Sequence, residues 1–399
     1  MTDRRPLDGV RVLDLSNLLA GPMATMYLAD FGAEVIKVEH PSKPDELRNW
    51  GNAKDGVGLF FKVLNRGKKT IGLDLRVPEG VELALRLAAE SDVVCESFRP
   101  GTMERWGLGP DDLRAANPRL VILRVSGFGQ TGPYSPRPGF GTLAEAFSGA
   151  AHITGFPDRS PLLPSFGLGD TSTAIFGAFA VVLALYNRDA AGGEGQVVDL
   201  ALYEGLLTLL GPQVVDFDQL GIVQQRDGSR LPFVSPRNTY HSADGKWLAI
   251  AGSTQATFER IARALGLDGL LVDARFATNH LRIENADALD DALQQAVGKL
   301  TLDEALGILE REGAPAGPVN DVRQVVEDPH VRARENVAAV ADEELGTVRM
   351  QNVVPRLTAT PGRIGHAGPR HREHNHEVYG RVLGLSGEEI GRLEREGVV

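Results

Sequence analysis

The sequence is poor in cysteine and in long apolar segments, and each shortage excludes certain classes of protein and of site. Cys95 is the only cysteine in 399 residues, which excludes a disulfide within the chain and a thiolate metal cluster. The longest apolar run, residues 174–186, is too short to cross a bilayer and is typical of a buried helix. The first residues lack the long apolar segment of a secretory signal. We therefore expect a cytoplasmic protein without a membrane partner.

Positive charge is also scarce. Lys and Arg number 42 against 53 Asp and Glu, which gives a formal net charge of -11. Because recognition of nucleic-acid phosphates needs a basic field, we expect no nucleic-acid partner. Basic side chains near predicted strand ends could still hold the phosphates of a small ligand. These side chains are Lys37, His40, Lys68, Lys69, Arg76, Arg99, Arg105 and Arg137.

Strand-like and helix-like segments alternate through the first half of the chain. Strand composition is found at residues 10–15, 34–38, 70–73, 92–95 and 120–125, with helix-forming segments between them. This alternation predicts an α/β fold with a parallel sheet in a Rossmann-like layout. The dinucleotide fingerprint is missing, and neither a Walker A loop nor a GxSxG elbow is present. The fold alone therefore does not give the function.

Composition changes twice further along the chain. After about residue 219, turn residues become frequent, and Ala243-Asp244-Gly245 is typical of a hairpin turn. Helices are then predicted over residues 257–265, 286–297 and 301–312. From about residue 338 the chain is extended and ends in two short helices. We predict a large Rossmann-like domain over residues 1–220, a smaller α+β domain with linkers over 221–337, and a C-terminal segment over 338–399. The histidines of residues 371–376 lie in a predicted loop, and no metal site is expected there.

Asp170 stands out by its position. It follows Gly167-Leu168-Gly169 and immediately precedes an apolar helix. It could be an ordinary N-cap, because aspartate accepts hydrogen bonds from the first free N–H groups of a helix. It could also be a nucleophile, because helix-terminal N–H groups favour the ionised carboxylate and glycines let a ligand approach the backbone. The residues alone leave both interpretations open.

Several segments together resemble the CaiB/BaiF, or class III, CoA-transferase family. They include VLDLSNLLAGP, GAEVIKVEHP, NRGKKTIGLDLR, ESFRPGTMERWG, SGFGQTGP, PGFGTLAEAFSG, GLGD and GAPAGPVND. The resemblance covers essentially the whole chain in order. It implies an interlocked homodimer with an active site at the interface of the two chains, in which the C-terminal segment returns to the large domain. It also implies no permanently bound cofactor, since coenzyme A and acyl-CoA are substrates.

The resemblance implies a role for particular residues. Asp170 matches the family's nucleophile, which forms an aspartyl mixed anhydride and then an aspartyl-CoA thioester during transfer to a carboxylic acid. Phe140, Gly167 and Gly169 would line the substrate pocket. The family's CoA contacts fall on Leu18, Leu19, Ala20, His40, Leu73, Arg76, Ser97, Phe98, Arg105 and Arg137.

Two other functions are compatible with the resemblance. The family includes α-methylacyl-CoA racemases, but their loop places a histidine base where this chain has Phe140, which favours the transferase. A non-catalytic acyl-CoA-binding protein is disfavoured because Asp170 is present. Gly141 and Glu145 depart from the family pattern, in which many members carry an acid and a glutamine respectively. The donor and the acceptor acid are not determined by the sequence.

Overall fold

The structure is a computed structural model that describes residues 4–399. Its internal contacts divide the chain into two compact units. Unit 1 consists of Met1–Ala150, Leu163–Gly211 and Arg332–Val399, and unit 2 consists of Ala151–Leu162 and Pro212–Val331. The C-terminal segment thus belongs to the same unit as the N-terminal part. Unit 2 includes Ala151–Leu162, which the sequence analysis assigns to the large domain, because contacts distant in sequence leave no local pattern.

The strands are short, as expected for segments between turns. In chain order they are β1 (Arg11–Asp14), β2 (Glu34–Glu39), β3 (Ala53–Lys54), β4 (Val57–Gly58), β5 (Lys68–Gly72), β6 (Val93–Glu96), β7 (Val121–Ser126), β8 (Val197–Ala201), β9 (Arg237–His241), β10 (Trp247–Ala251), β11 (Ala316–Pro318), β12 (Val337–Asp342) and β13 (Gly346–Gln351).

The helices fill the intervals between the strands. They are α1 (Ala20–Asp30), α2 (Leu59–Leu64), α3 (Pro78–Ala89), α4 (Thr102–Trp106), α5 (Pro110–Ala116), α6 (Gly141–Phe147), α7 (Ala150–Ile153), α8 (Leu168–Ala190), α9 (Leu202–Leu209), α10 (Gln213–Leu220), α11 (Gln255–Ala264), α12 (Gly269–Val272), α13 (Asn279–Glu284), α14 (Ala286–Val297), α15 (Leu302–Arg311), α16 (Val322–Glu327), α17 (Pro329–Ala333), α18 (Asn375–Leu383) and α19 (Gly387–Arg395). Two 3₁₀ turns cover Glu46–Asn49 and Ala274–Phe276.

A six-stranded parallel sheet forms the centre of unit 1. Its order is β5-β2-β1-β6-β7-β8, so the chain reverses direction across the sheet between β1 and β6. Successive residues of β1 enter different cores: Leu13 packs in the cluster with α3, α18 and α19, and Val12 in the cluster with α1 and α8. Both faces of the sheet are covered, as all-parallel sheets require. The predicted α/β fold with a parallel sheet is confirmed.

Unit 2 has its own sheet and its own core. Strands β9 and β10 form the predicted hairpin around Ala243–Gly245, and β11 pairs with β10 on the other side. Helices α11, α14 and α15 lie at the three predicted helical segments, and α14 has the predicted bounds. Buried side chains that include Tyr240, Phe258 and Leu293 make up this core. Alternation in the strands and helical periodicity made these elements predictable.

Two predictions about single segments are wrong. The apolar run at 174–186 is part of α8, whose 23 residues are long and apolar enough to span a membrane by length and composition alone. The helix is not fully buried: one side packs on α1 and α9, and the other exposes Ile175, Phe179 and Tyr186. The run is apolar on every side, so its sequence does not reveal which side is covered. The histidine segment is also only partly a loop, because α18 begins at Asn375 and includes His376.

Candidate active site

Asp170 lies inside the first turn of α8 and is not its N-cap. The helix begins at Leu168, and Gly167 is the N-cap residue, with the non-helical backbone angles φ -68° and ψ 72°. The N-cap interpretation of Asp170 is therefore wrong. The flexible backbone of Gly167 lets the helix start earlier than the sequence suggested. The Asp170 side chain is half-buried, and its carboxylate accepts a hydrogen bond from its own backbone N–H.

Glycines surround the Asp170 carboxylate. Gly141 is the first residue of α6, and a Cβ atom there would lie 2.0 Å from Asp170 Oδ2. A Cβ on Gly169 would lie 2.8 Å from the carbonyl oxygen of Gly141, and a Cβ on Gly167 would lie 3.3 Å from Oδ2. The backbones of α6 and α8 thus meet at this carboxylate without intervening side chains. This arrangement gives a physical reason for each of the three glycines.

A second carboxylate lies beside the turn that carries Asp170. Glu145 on α6 is buried, with 3% exposure, and its Oε1 accepts a hydrogen bond of 3.1 Å from the backbone N–H of Gly169. The pKa of Asp170 is raised to about 6 by burial and, second, by the negative charge of Glu145, while a hydrogen bond from its own backbone N–H acts in the opposite direction. Burial and the charge of Glu145 thus outweigh the backbone N–H group that favours the ionised form. At pH 7 about nine-tenths of Asp170 is still ionised.

The loop after β1 approaches the same place. Leu18 has a positive φ of 66°, and its N–H donates to both carboxylate oxygens of Asp45, at 3.2 Å each. The side chain of Leu19, the N-cap residue of α1, comes within 3.2 Å of where a Cβ on Gly167 would lie. The N–H of Asn17 donates to Ser97 Oγ at 2.9 Å, which joins the loops after β1 and β6. These loops flank the point of reversal in the sheet, where ligands of open α/β proteins bind.

Buried ion pairs support this loop from below. Lys37 Nζ lies 2.9 Å from Asp45 Oδ2 and also donates to the carbonyl oxygen of Ser16, and Lys68 Nζ lies 2.9 Å from Asp14 Oδ2. All four charged side chains are fully buried. The prediction that Lys37 and Lys68 could hold phosphates is therefore wrong, because both are committed to the core. Sequence reasoning missed Asp45, whose role depends on a backbone N–H 27 residues away.

Two of the predicted CoA contacts, His40 and Arg76, lie in a polar group beside β2 and β5. Arg76 donates through Nε and Nη2 to Asp74 at 2.8 and 2.9 Å, and it contacts His40 Nε2. Arg76 is exposed and His40 half-buried, so both are accessible to a ligand. A third predicted contact, Leu73, directly precedes Asp74 in the sequence. Its side chain is buried in the core, so that only its backbone is available to a ligand.

The remaining predicted contacts lie in the segments that follow β6 and β7, with Arg105 in α4. Phe98 packs on Trp106 with ring centroids 5.0 Å apart, and the guanidinium of Arg105 donates to Thr102 Oγ1 at 2.9 Å. Arg137 stacks on the ring of Tyr134, with 3.6 Å from Cζ to the ring centroid. Phe140, the N-cap residue of α6, is 56% exposed beside Gly141.

A cavity of about 350 Å³ opens next to the Asp170 turn. Its wall includes Gly167 and Thr171, on either side of Asp170 in sequence, together with the side chains of Leu19, Met23 and Phe166. The wall is mostly apolar, which suits the methylene groups of an acyl chain or of pantetheine. Cys95 lies away from this cavity in the core, and burial raises the pKa of its thiol well above the usual range. The prediction that Cys95 is a core thiol is confirmed.

Comparison with known proteins identifies the family. The sequence profile of CoA-transferase family III matches residues 7–375. The chain is 45% identical to a succinyl-CoA–D-citramalate CoA-transferase of Chloroflexus aurantiacus over 99% of this chain and 98% of that one. It is 39% identical to the alpha subunit of a succinyl-CoA–L-malate CoA-transferase of the same species, over 100% and 93% of the two chains.

A solved structure agrees with the sequence comparisons. The crystal structure of a CAIB/BAIF family protein from Brucella suis is 34% identical, with a TM-score of 0.84, and covers 95% of this chain and 100% of that one. The α/β fold of this chain is thus shared with a solved member of the CAIB/BAIF family. The chain belongs to CoA-transferase family III. It is an enzyme that transfers CoA.

Proposed function

We propose that the enzyme transfers CoA between short carboxylic acids through covalent intermediates on Asp170. The observation that carries the proposal is the half-buried, glycine-walled carboxylate of Asp170, which is mostly ionised at neutral pH. The two relatives named above take CoA from succinyl-CoA by their names. A succinyl-class thioester is therefore the proposed donor, and a short hydroxylated acid with two or more carboxylates the proposed acceptor class.

The mechanism begins with attack by the carboxylate. An Oδ atom of Asp170 bonds to the thioester carbonyl carbon, the C–S bond breaks, and CoA leaves as a thiolate from a mixed anhydride. The thiolate then attacks the aspartyl carbonyl and releases the donor acid, so that Asp170 carries CoA as a thioester. The acceptor carboxylate repeats these steps in reverse. A carboxylate nucleophile conserves the energy of the thioester bond, first in the mixed anhydride and then in the aspartyl-CoA thioester.

The raised pKa of Asp170 suits this role. A carboxylate with a pKa of about 6 is ionised at neutral pH and more basic than an ordinary aspartate, and nucleophilic reactivity rises with basicity. Because Gly141 has no Cβ, the carboxylate can lie directly against the start of α6. The thioester carbonyl approaches it from the cavity beside Gly167 and Thr171. No histidine or cysteine is needed to activate the nucleophile.

The proposed CoA site extends from the loops after β1 and β6 to Arg76. Backbone groups of Leu18, Leu19 and Ala20 contact the pantetheine end, Phe98 packs on the adenine, and Ser97 supports the first loop. Arg105 and Arg76 hold the phosphates, with His40 beside Arg76. Arg137 contributes a further charge from the loop before α6, and Phe140 lines the acyl end of the pocket.

Removing the charge of Arg76 tests this assignment. We expect Arg76→Gln to raise the KM for acyl-CoA by roughly tenfold and to leave kcat nearly unchanged, because a charge-assisted contact to phosphate is lost far from the reacting carbonyl. Steady-state kinetics measure both constants. Arg114→Gln is the matched control, since Arg114 is exposed on α5 with its nearest carboxylate at 3.9 Å. An unchanged KM in Arg76→Gln would remove Arg76 from the site.

A panel experiment tests the activity itself. The protein is incubated with acyl-CoAs and free acids, and mass spectrometry follows the exchange of CoA between them. Exchange from succinyl-CoA to hydroxylated dicarboxylates supports the proposal. Exchange of isotope at the α-carbon without an acceptor would support a racemase instead, although Phe140 stands where that reaction needs a base.

We also propose that the enzyme is an interlocked homodimer in the cytoplasm. The exposed side of α8 forms part of an apolar cavity of about 700 Å³ with α1 and residues 354–357, a surface typical of protein contacts. Light scattering is expected to give twice the 42.9 kDa of one chain, at nanomolar to micromolar concentrations alike. A monomeric mass throughout this range would contradict the dimer.

A further inference from the structure

The Glu145 carboxylate is a buried charge with little visible compensation. It accepts one backbone hydrogen bond, from Gly169, and among residues 4–399 no lysine or arginine forms an ion pair with it. A buried, unpaired carboxylate destabilises the folded state. A charge kept at such a position therefore indicates a role other than stability. Its hydrogen-bond donor is the residue directly before Asp170. The position of this charge therefore links it to the proposed nucleophile.

We propose that Glu145 is a positioning residue for the transfer reaction. Its carboxylate holds the Gly169 N–H, and thereby the helix start that carries Asp170, while its negative charge favours the acylated form of that aspartate. This inference rests on the proposed function of Asp170. It adds a residue outside the predicted set of site residues.

The effect of the charge follows from the balance of the first step. When Asp170 attacks, a C–O bond forms, the C–S bond breaks, and the negative charge leaves with the CoA thiolate. The two neighbouring carboxylates repel each other in the free enzyme, and this repulsion disappears in the anhydride and in the aspartyl-CoA thioester. Glu145 therefore destabilises the free enzyme relative to both covalent intermediates and favours their formation.

Among residues 4–399, Glu145 is the charged side chain that shifts the pKa of Asp170. Arg66 lines the cavity beside Gly167 and Thr171, but it is paired with Asp30 at 2.6 Å. The first turn of α1 has no ionisable side chain, and Asp170 is the only one in the first turn of α8. On α9, Glu204 is exposed and accepts the N–H of Ala201 at 2.8 Å. At the end of β7, Arg124 is paired with Glu96 at 2.7 Å. Burial and Glu145 are accordingly the two causes that raise the pKa of Asp170.

The variant Glu145→Gln separates the two parts of the proposal. Its amide oxygen can still accept the Gly169 N–H, but the charge is gone. We expect the acid limb of the pH profile of kcat/KM to move to lower pH by about half a pH unit or more. We also expect ~3- to 10-fold less covalent adduct at equilibrium with acyl-CoA and no acceptor, measured by intact-protein mass spectrometry. An acid limb and an adduct level equal to those of the wild type would overturn the charge effect.

Two further variants complete the test. Glu145→Ala removes the acceptor as well, and we expect a larger loss of kcat than in Glu145→Gln, whereas equal losses would overturn the holding role. If the alanine variant does not fold, the need for an acceptor at this position is supported, and Glu145→Gln still decides the charge effect. Glu204→Gln is the matched control, because it also accepts a backbone N–H near a helix start; a similar pH shift there would contradict the proposal.

The variant Asp170→Asn distinguishes a failure of the proposed function from a failure of the proposed role of Glu145. If it retains full turnover, the proposed function is wrong. If it is inactive while Glu145→Gln matches the wild type in every measurement, only the role of Glu145 is wrong.

Discussion

Asp170→Asn is expected to lower CoA transfer by at least ~10³-fold while the protein remains folded, because the amide cannot form the mixed anhydride. The covalent adduct should vanish from intact-protein mass spectra recorded with acyl-CoA alone. CoA exchange measured by mass spectrometry gives the residual rate. Asp170→Ala should behave in the same way, and full turnover by either variant would contradict the mechanism.

The variant Asp170→Asn should also be more stable than the wild type at neutral pH. The pKa of Asp170 is raised from 3.8 to about 6, so its ionised form is less favourable in the folded than in the unfolded chain. The stability that the neutral carboxyl contributes is present below pH 3.8 and is lost as the pH rises through about 6. The free energy of unfolding measured in urea should therefore be higher for Asp170→Asn than for the wild type, by on the order of 1 kcal/mol at pH 7.5 and by little at pH 4. A residue kept only for stability would give the opposite sign.

Local sequence patterns predicted the fold well. Apolar residues are regularly spaced in the strands around residues 10–15 and 34–38 and in the helix over residues 286–297. This spacing indicates the type of each element and the face that it buries. The segment 151–162 did not reveal that it belongs to unit 2, because that membership depends on contacts with residues beyond 211. The exposed side of α8 was missed for a similar reason, since a helix apolar on all sides has no distinct buried face.

The site was predictable where a motif contains the reacting group. Asp170, Gly167 and Gly169 adjoin one another in the sequence, and the structure places them together at the start of α8. The environment of the carboxylate was not predictable, because burial and the charge of Glu145, which comes from another helix, raise the pKa of Asp170. Asp45 was missed in the same way. Such pairs are set by tertiary packing, and a single sequence gives no signal for them.

The space beside Asp170 leads to the second large effect, which concerns Gly141. A Cβ at this position would lie 2.0 Å from Asp170 Oδ2, far inside van der Waals contact. The two nearest atoms, Oδ2 and Cγ at 2.0 and 2.8 Å, belong to the Asp170 side chain, and the backbone N of Asp170 lies at 3.3 Å. Gly141→Ala can therefore fold at small cost if the whole Asp170 side chain turns away. The backbone of Gly141 does not have a positive φ, so alanine adds no backbone strain. The substitution therefore displaces the nucleophile without disturbing the fold.

We expect Gly141→Ala to lower kcat by about 10²-fold, since a displacement of roughly 1 Å at a reacting group has effects of this size. The KM for acyl-CoA should change little, because the proposed CoA contacts lie on other loops. Gly387→Ala is the matched control: Gly387 is also the first residue of a helix, α19, and nothing lies within 4 Å of its Cβ position. If Gly141→Ala and Gly387→Ala both kept wild-type kcat, the Asp170 carboxylate would not react from its position between α6 and α8. The close approach of these two helices would then have no part in catalysis.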